Sequence, residues 1–234
     1  MAKADLANLL ARTDVFASLS DADREQLAAQ CALRKLAKDE QLFTRGDAGD
    51  ALYIVAAGSI ALTASTVSGR DIVLRIATPP ESFGELAILD EGPRVATATA
   101  RERTVLLRVP GPIVQTLFVS RPPVAAALMK SLAIMTRQVH EHALDLVTLD
   151  LPGRVAKQLL IMSGVDATTA KPGSVAVNFR LNQSEIAQLV GGSRQHVNRV
   201  IVTLEQEGAI TRQGPRIVAV RPDLLAAATE QGVR

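Results

Sequence analysis

The stretch LNQSEIAQLVGGSRQHVNRVIVTLEQEGAI, residues 181–210, decides how this chain is read. Asn182 is of a type that caps a helix, and Glu185 three residues later completes a capping-box pattern. Ile186, Leu189 and Val190 give that helix an apolar face. Gly191 and Gly192 let the chain turn sharply without a side-chain clash. Ser193 can cap a second helix, in which Val197, Val200, Ile201 and Leu204 recur at i, i+3, i+4 and i+7. The opposite face carries Arg194, Gln195, Asn198 and Arg199 on its first turns, side chains able to contact base edges and phosphates. Gln183 and Ser193, at the starts of the two helices, join them as candidate DNA contacts. Gly208 ends the second helix; Ile210–Arg212, a Gln213-Gly214-Pro215 turn and Arg216–Val220 then read as a two-stranded wing. A solvated helical hairpin would share the basic residues. It would not share the double cap, the glycine turn, the apolar set and the wing together. The pattern predicts a winged helix-turn-helix, whose second helix enters the DNA major groove.

Charge agrees with that placement. The chain of 234 residues has a net charge of +2, divided as −2 over residues 1–150 and +4 over residues 151–234. A basic C-terminal part suits a polyanion, although many domains carry as much. Hydrophobic residues at 47% and charged residues at 21% exclude a disordered chain. The opening MAKADLANLLARTDVF is charged early and has no long apolar run, so no secretory signal is expected. No run of about 18 apolar residues occurs, so no membrane span is expected and a cytoplasmic protein fits. Cys31 is the single cysteine, which excludes an internal disulfide and a four-cysteine cluster; it reads as a small buried hydrophobe.

Upstream of residue 181 the texture changes twice. Residues 1–40 read as short helices, one capped by Ser20 ahead of DADREQLAAQ. From about 41 to 111 glycines recur between β-rich segments at Ala51–Ala57, Ser59–Thr66, Asp71–Ala77 and Arg103–Val109, as in a compact antiparallel barrel or roll. From Pro122 to Asp150, Ala125, Leu128, Leu132, Met135, Val139, His142, Leu146 and Leu149 alternate at steps of three and four. Such a stripe usually pairs with another helix, here its own copy in a homodimer; the alternative is a core helix packed within its own domain. Leu151-Pro152-Gly153 then breaks the helix and reads as a hinge. The expected organisation is α+β: a sensor domain over 1–121, a dimerisation helix over 122–150 and a winged helix-turn-helix domain over 151–234.

This order of parts resembles the cyclic-AMP receptor protein/FNR (CRP/FNR) family of bacterial transcription regulators over nearly the whole chain. FTRGDAGDALYIVAAGSIAL, residues 43–62, is similar to the family's cyclic-nucleotide-binding β-roll, a double-stranded β-helix of jelly-roll type. FGELAILDEGPRVATATA, residues 83–100, resembles its phosphate-binding cassette, and SRQHVNRVI, residues 193–201, its recognition helix. The resemblance implies that Glu85 accepts a ribose hydroxyl and that Arg94 pairs with the cyclic phosphate, with Gly84, Leu86 and Val95 beside them. Val95 stands where cyclic-AMP binders usually place Ser or Thr, with Thr97 nearby. Val139 and His140 stand where the family holds adenine with hydroxyls. Gln195 replaces the usual acidic residue after the first arginine, which predicts an altered operator, because glutamine favours adenine.

The implied effector is a cyclic nucleotide, cyclic AMP first, with no obligatory cofactor and no metal. Two alternatives stay open: a vestigial pocket in which Glu85 and Arg94 only bridge each other, or another effector such as cyclic GMP or cyclic di-GMP. The implied partners are a pseudo-palindromic double-stranded operator, a second copy of the chain and RNA polymerase, with no membrane. An enzyme is not expected, since HExxH, GxSxG and Walker patterns are missing and the three histidines cluster at 140, 142 and 196.

Overall fold

The continuous apolar run at Ala51–Val55 shows how the N-terminal half is built. In the computed structural model, which describes residues 3–65, 71–165, 171–177, 183–214 and 216–233, this run lies in a strand buried on both faces. Tyr53 and Val55 point into one core, with Phe83, Ala98 and Leu106. Leu52 and Ile54 point into another, with Leu10, Phe16, Val114 and Val124. Successive side chains leave a strand on opposite faces, so a strand apolar at every position must separate two cores.

The strands in chain order are β1 (Ala32–Leu36), β2 (Gln41–Phe43), β3 (Ala51–Ala57), β4 (Ile60–Ser65), β5 (Asp71–Ala77), β6 (Ser82–Phe83), β7 (Thr97–Ala100) and β8 (Thr104–Pro110). They form two antiparallel sheets ordered β1-β8-β3-β6 and β2-β7-β4-β5, the two halves of a roll. Helices α1 (Lys3–Arg12) and α2 (Asp21–Gln30) precede it, α3 (Leu86–Leu89) interrupts it, and α4 (Gly111–Ser120) and α5 (Pro122–Thr148) follow it. Ser20 caps α2 as expected, accepting from the Asp23 amide. The expectation of helices through residue 40 needs correction, because β1 and the turn after it occupy 32–40. β1 is an edge strand with four of its five residues exposed, so no apolar period betrays it. Thr66, expected to end a strand, lies outside the described residues.

The chain divides into two units, Met1–Arg137 and Gln138–Arg234. In the first, Val124 and Leu128 of α5 are buried in the helical core and Leu132 packs against it. The early half of the expected dimer stripe is thus used inside its own unit. In the second, α6 (Leu151–Ser163) is capped by Asp150, which accepts from the Gly153 amide at 2.8 Å, with Pro152 in its first turn; Leu151–Gly153, expected as a helix-breaking hinge, instead opens α6, because proline is tolerated where no intrahelical amide is needed, and the break falls at Leu149–Asp150. Next come β9 (Val175–Ala176), α7 (Gln183–Leu189), α8 (Arg194–Gln206), β10 (Ile210–Gln213), β11 (Arg216–Val220) and α9 (Pro222–Gln231). The wing hairpin β10–β11 gains β9 as a third strand. The core joins Val155, Leu159, Ile186, Val190, Val197, Ile201, Leu204, Ile210 and Leu225. The expected Asn182 cap and the Pro215 turn position lie outside the described residues.

Candidate effector pocket and nucleic-acid interface

The cassette is assembled at the joint between β6 and α3. Gly84 turns the chain with φ +85°, and a Cβ there would stand 2.6 Å from Nη1 of Arg94. Only glycine meets both demands. Glu85 follows as the N-cap of α3, and Leu86 begins the helix half-buried. Arg94 lies on the segment returning to β7 and is 3% exposed. Its Nη1 donates to the Gly84 carbonyl at 2.8 Å and its Nη2 to the Ala51 carbonyl at 2.9 Å. The guanidinium lies 4.3 Å from the centroid of Phe43, beside Tyr53, and Asp50 comes to 3.6 Å. Phe43, Tyr53 and Phe83 form one aromatic cluster, with Tyr53 stacked on Phe83 at 5.6 Å. Sequence reasoning missed this box; its signal was aromatic residues on three strands that the roll brings together.

Glu85 is 6% exposed and its Oε2 is buried without a hydrogen-bond partner, as is Nε of Arg94. Burial pushes the Glu85 carboxyl above the usual carboxylate range, against the pull of its own backbone amide and of the Arg75 and Arg94 guanidiniums. Burial likewise pulls Arg94 down. The two side chains form no ion pair with each other among the described residues. Val95 is 53% exposed, and Thr97 is occupied in accepting the Arg45 amide. Val139 and His140 are exposed on α5, beyond the limit of the first unit. A residue not singled out from sequence, Arg75, also pulls electrostatically on the Glu85 carboxyl, and its Nη2 donates to the Ser82 carbonyl.

The second unit exposes the candidate DNA-contact residues on one face of α8. Ser193 caps α8, accepting from the His196 amide at 3.3 Å. Gly191 has φ +65°, which the turn between α7 and α8 requires of it, and Gly192 packs closely against the Leu151 side chain, where a Cβ would come to 2.8 Å of its Cδ1. Val197, Ile201 and Leu204 are buried while Arg194, Gln195, Asn198 and Arg199 are exposed; Gln183 is half-buried at the start of α7. Arg194 and Arg199 form no ion pair among the described residues, so both guanidiniums remain available to a polyanion. Arg154 donates to the Val190 carbonyl at the end of α7, and Arg212 of the wing pairs with Glu205 of α8. These bonds fix the reading helix between its neighbours. Cys31 is half-buried against the helical core, and burial pushes its thiol up to about 11, so it stays protonated at neutral pH.

A buried anion-type cassette in a roll, followed by a capped reading helix and a wing, defines a class: regulators of transcription that join a cyclic-nucleotide-binding fold to a DNA-binding one. Comparison with known families agrees in both halves. Residues 33–121 match the cyclic nucleotide-binding domain and residues 153–228 the Crp-like helix-turn-helix domain. The chain is 32% identical over 218 residues to the CRP-like cAMP-activated global transcriptional regulator of Mycobacterium tuberculosis, covering 93% of this chain and 97% of that one. It is 36% identical over 185 residues to the cyclic AMP receptor protein of Thermus thermophilus, covering 77% and 79%. Among solved structures, the Thermus thermophilus catabolite activator protein aligns with a TM-score of 0.53 at 29% identity, covering 93% and 99%. FixK2 of Bradyrhizobium japonicum shares the fold with a TM-score of 0.73 at 22% identity, covering 85% and 96%. The protein belongs to the CRP/FNR family of transcription regulators and is a DNA-binding regulator rather than an enzyme.

Proposed function

We propose that the protein is a homodimeric cytoplasmic regulator whose roll binds a cyclic nucleotide and whose two reading helices enter successive major grooves of a pseudo-palindromic operator, about 34 Å apart. The observation that carries the effector half is the pair of buried, unpartnered polar atoms in the cassette, Glu85 Oε2 and Arg94 Nε. A buried polar atom left without a partner costs about 1–3 kcal/mol, so a cassette retained only for its fold would be expected to satisfy both. A ribose hydroxyl would donate to Glu85, and the cyclic phosphate would take the remaining donors of Arg94 beside Gly84, Leu86 and Val95. Val139 and His140 enter as base-side candidates through the resemblance alone. Cyclic AMP is the first ligand to test, because the relatives are named for it. RNA polymerase as a partner rests on the family.

Dimerisation would use a stripe one step round α5 from the expected one. Met129, Ala133, Thr136, His140, Ala143 and Val147 recur at steps of four and three and are all exposed. The ligand would shift the dimer helices and the break between α5 and α6 at Leu149–Asp150 toward the DNA-competent state, which it must prefer in order to populate it. Titration calorimetry of the purified protein with cyclic AMP, cyclic GMP and cyclic di-GMP tests the pocket. Saturable heat with a cyclic mononucleotide is expected; no heat with any at high micromolar ligand removes the cyclic-nucleotide reading and favours a vestigial pocket.

A further inference from the structure

His196 lies in the first turn of α8, beside the candidate DNA contacts but not one of them, and it is exposed. Its ring is tethered. The Ser193 hydroxyl oxygen accepts from the His196 amide at 3.3 Å and also lies 3.0 Å from its Nδ1. A hydroxyl has one hydrogen and two lone pairs. One lone pair takes the amide. The hydrogen can be given to Nδ1 of a neutral ring, or the second lone pair can receive the Nδ1 proton of a charged one. In both arrangements Nε2 carries a proton and points away from the cap, and it has no hydrogen-bond partner among the described residues. Successive helical residues stand about 100° apart. Opposite buried Val197, Ile201 and Leu204, the centre of the exposed face therefore falls at Gln195 and Arg199. His196 stands roughly a quarter-turn to one side of that centre, with Arg194 and Asn198 on the other. A helix in the major groove turns its centre to base edges and its flanks to the sugar–phosphate walls. Charges on the elements packed against α8 leave the ring alone. On α6, Arg154 donates to the Leu149 and Val190 carbonyls and Lys157 pairs with Asp145; on β10, Arg212 pairs with Glu205. Glu185 of α7 forms no ion pair with His196 among the described residues, and the nearest charges on α8 itself, Arg194 and Arg199, are cations.

We propose that His196 is a proton-linked clamp on the DNA backbone: docking of α8 brings a phosphate to Nε2, and the imidazole takes a proton from solvent as it docks. Histidine is the side chain whose charge changes between about pH 5 and pH 8. A phosphate beside it favours the charged ring and turns a neutral hydrogen bond into a charge-assisted one. The DNA-bound protein then holds more protons than the free protein, so by linkage DNA affinity rises as pH falls. The Ser193 hydroxyl serves both charge states by reversing its own hydrogen bond, so the ring keeps its aim while it titrates. The competing role for His196 is a solvated cover on the Ser193 cap that never meets DNA.

Fluorescence anisotropy with the full-length protein at fixed salt separates the two roles, using a selected operator duplex and an unrelated duplex. From about pH 8 to about pH 6 the unmodified protein should bind both duplexes about tenfold tighter. His196→Gln, which keeps a hydrogen-bonding side chain but cannot titrate, should bind both with an affinity that changes less than about twofold over that range, while His140, His142 and Glu85 remain in place. At the lower pH its salt dependence should be shallower by about one counterion for each half-site. His196→Arg carries a permanent cation and should bind tightly at both ends of the range. A pH dependence that persists in His196→Gln overturns the inference, as does a flat profile in the unmodified protein. A loss in His196→Gln confined to one operator base pair makes His196 a base reader and overturns it too. Absence of binding to either duplex at any pH removes the DNA-docked helix and the inference together.

Discussion

Glu85 ties stability to function at a single carboxyl. Burial raises its pKa in the folded protein above the unfolded value, so the folded form holds the proton more tightly. Ligand-free stability should therefore grow as pH falls from neutral through that raised value to the ordinary carboxylate range. Glu85→Gln removes the buried charge. It should raise the ligand-free melting temperature at pH 7, by roughly 2–4 °C for each kcal/mol relieved, and flatten the pH dependence. The same variant should lose the melting shift produced by a cyclic nucleotide; a lowered melting temperature would mean that Glu85 is satisfied in the free protein. Gly84→Ala combines positive φ with a 2.6 Å approach to Arg94. It should cost about 1–3 kcal/mol by thermal or denaturant melting and release Arg94 from the Gly84 carbonyl. On the DNA side, Arg194→Ala should weaken specific binding by about 1–3 kcal/mol and relax one operator position without changing the melting temperature. Unchanged specific affinity would move the reading role to Gln195 or Arg199.

Elements differ in how plainly the sequence announced them. α8 was legible because its cap, its apolar i/i+3/i+4/i+7 set and its polar face are all local properties; Val197, Ile201 and Leu204 are buried and Val200 is half-buried against the same core. β1 was not legible, since an edge strand with an exposed pattern has no period to read. α5 was legible as a helix but not in its partners. Periodicity names a stripe; it does not say whether the stripe meets its own domain or another copy. Leu128 turned inward while Val139 and Leu146 stayed 61% and 43% exposed. In the cassette, Gly84, Glu85 and Arg94 were readable as a motif, whereas Arg75 and the aromatic box come together only through pairing between distant strands. The second stripe on α5 gives a direct check. Ala143→Glu should turn a dimer into a monomer in sedimentation velocity while leaving the helical content unchanged. An undisturbed dimer would place the interface elsewhere.

At the scale of the whole molecule, the proposed control requires the two units to communicate. The N-terminal part carries the buried cassette, and the C-terminal part carries the excess positive charge and an exposed reading helix. A regulator controlled from its roll needs a ligand that binds the DNA-competent state more tightly; a tenfold preference corresponds to about 1.4 kcal/mol of coupling. That coupling is reciprocal, so operator DNA should raise nucleotide affinity by the same factor. The most direct test is fluorescence anisotropy of an operator duplex, selected from random sequence, titrated with full-length protein at fixed salt with and without saturating cyclic nucleotide. The expected result is an affinity at least about tenfold higher with nucleotide, a gain that Arg94→Leu abolishes while its nucleotide-free DNA affinity stays unchanged. Equal affinities with and without nucleotide in the unmodified protein would contradict control of the winged helix-turn-helix by the roll.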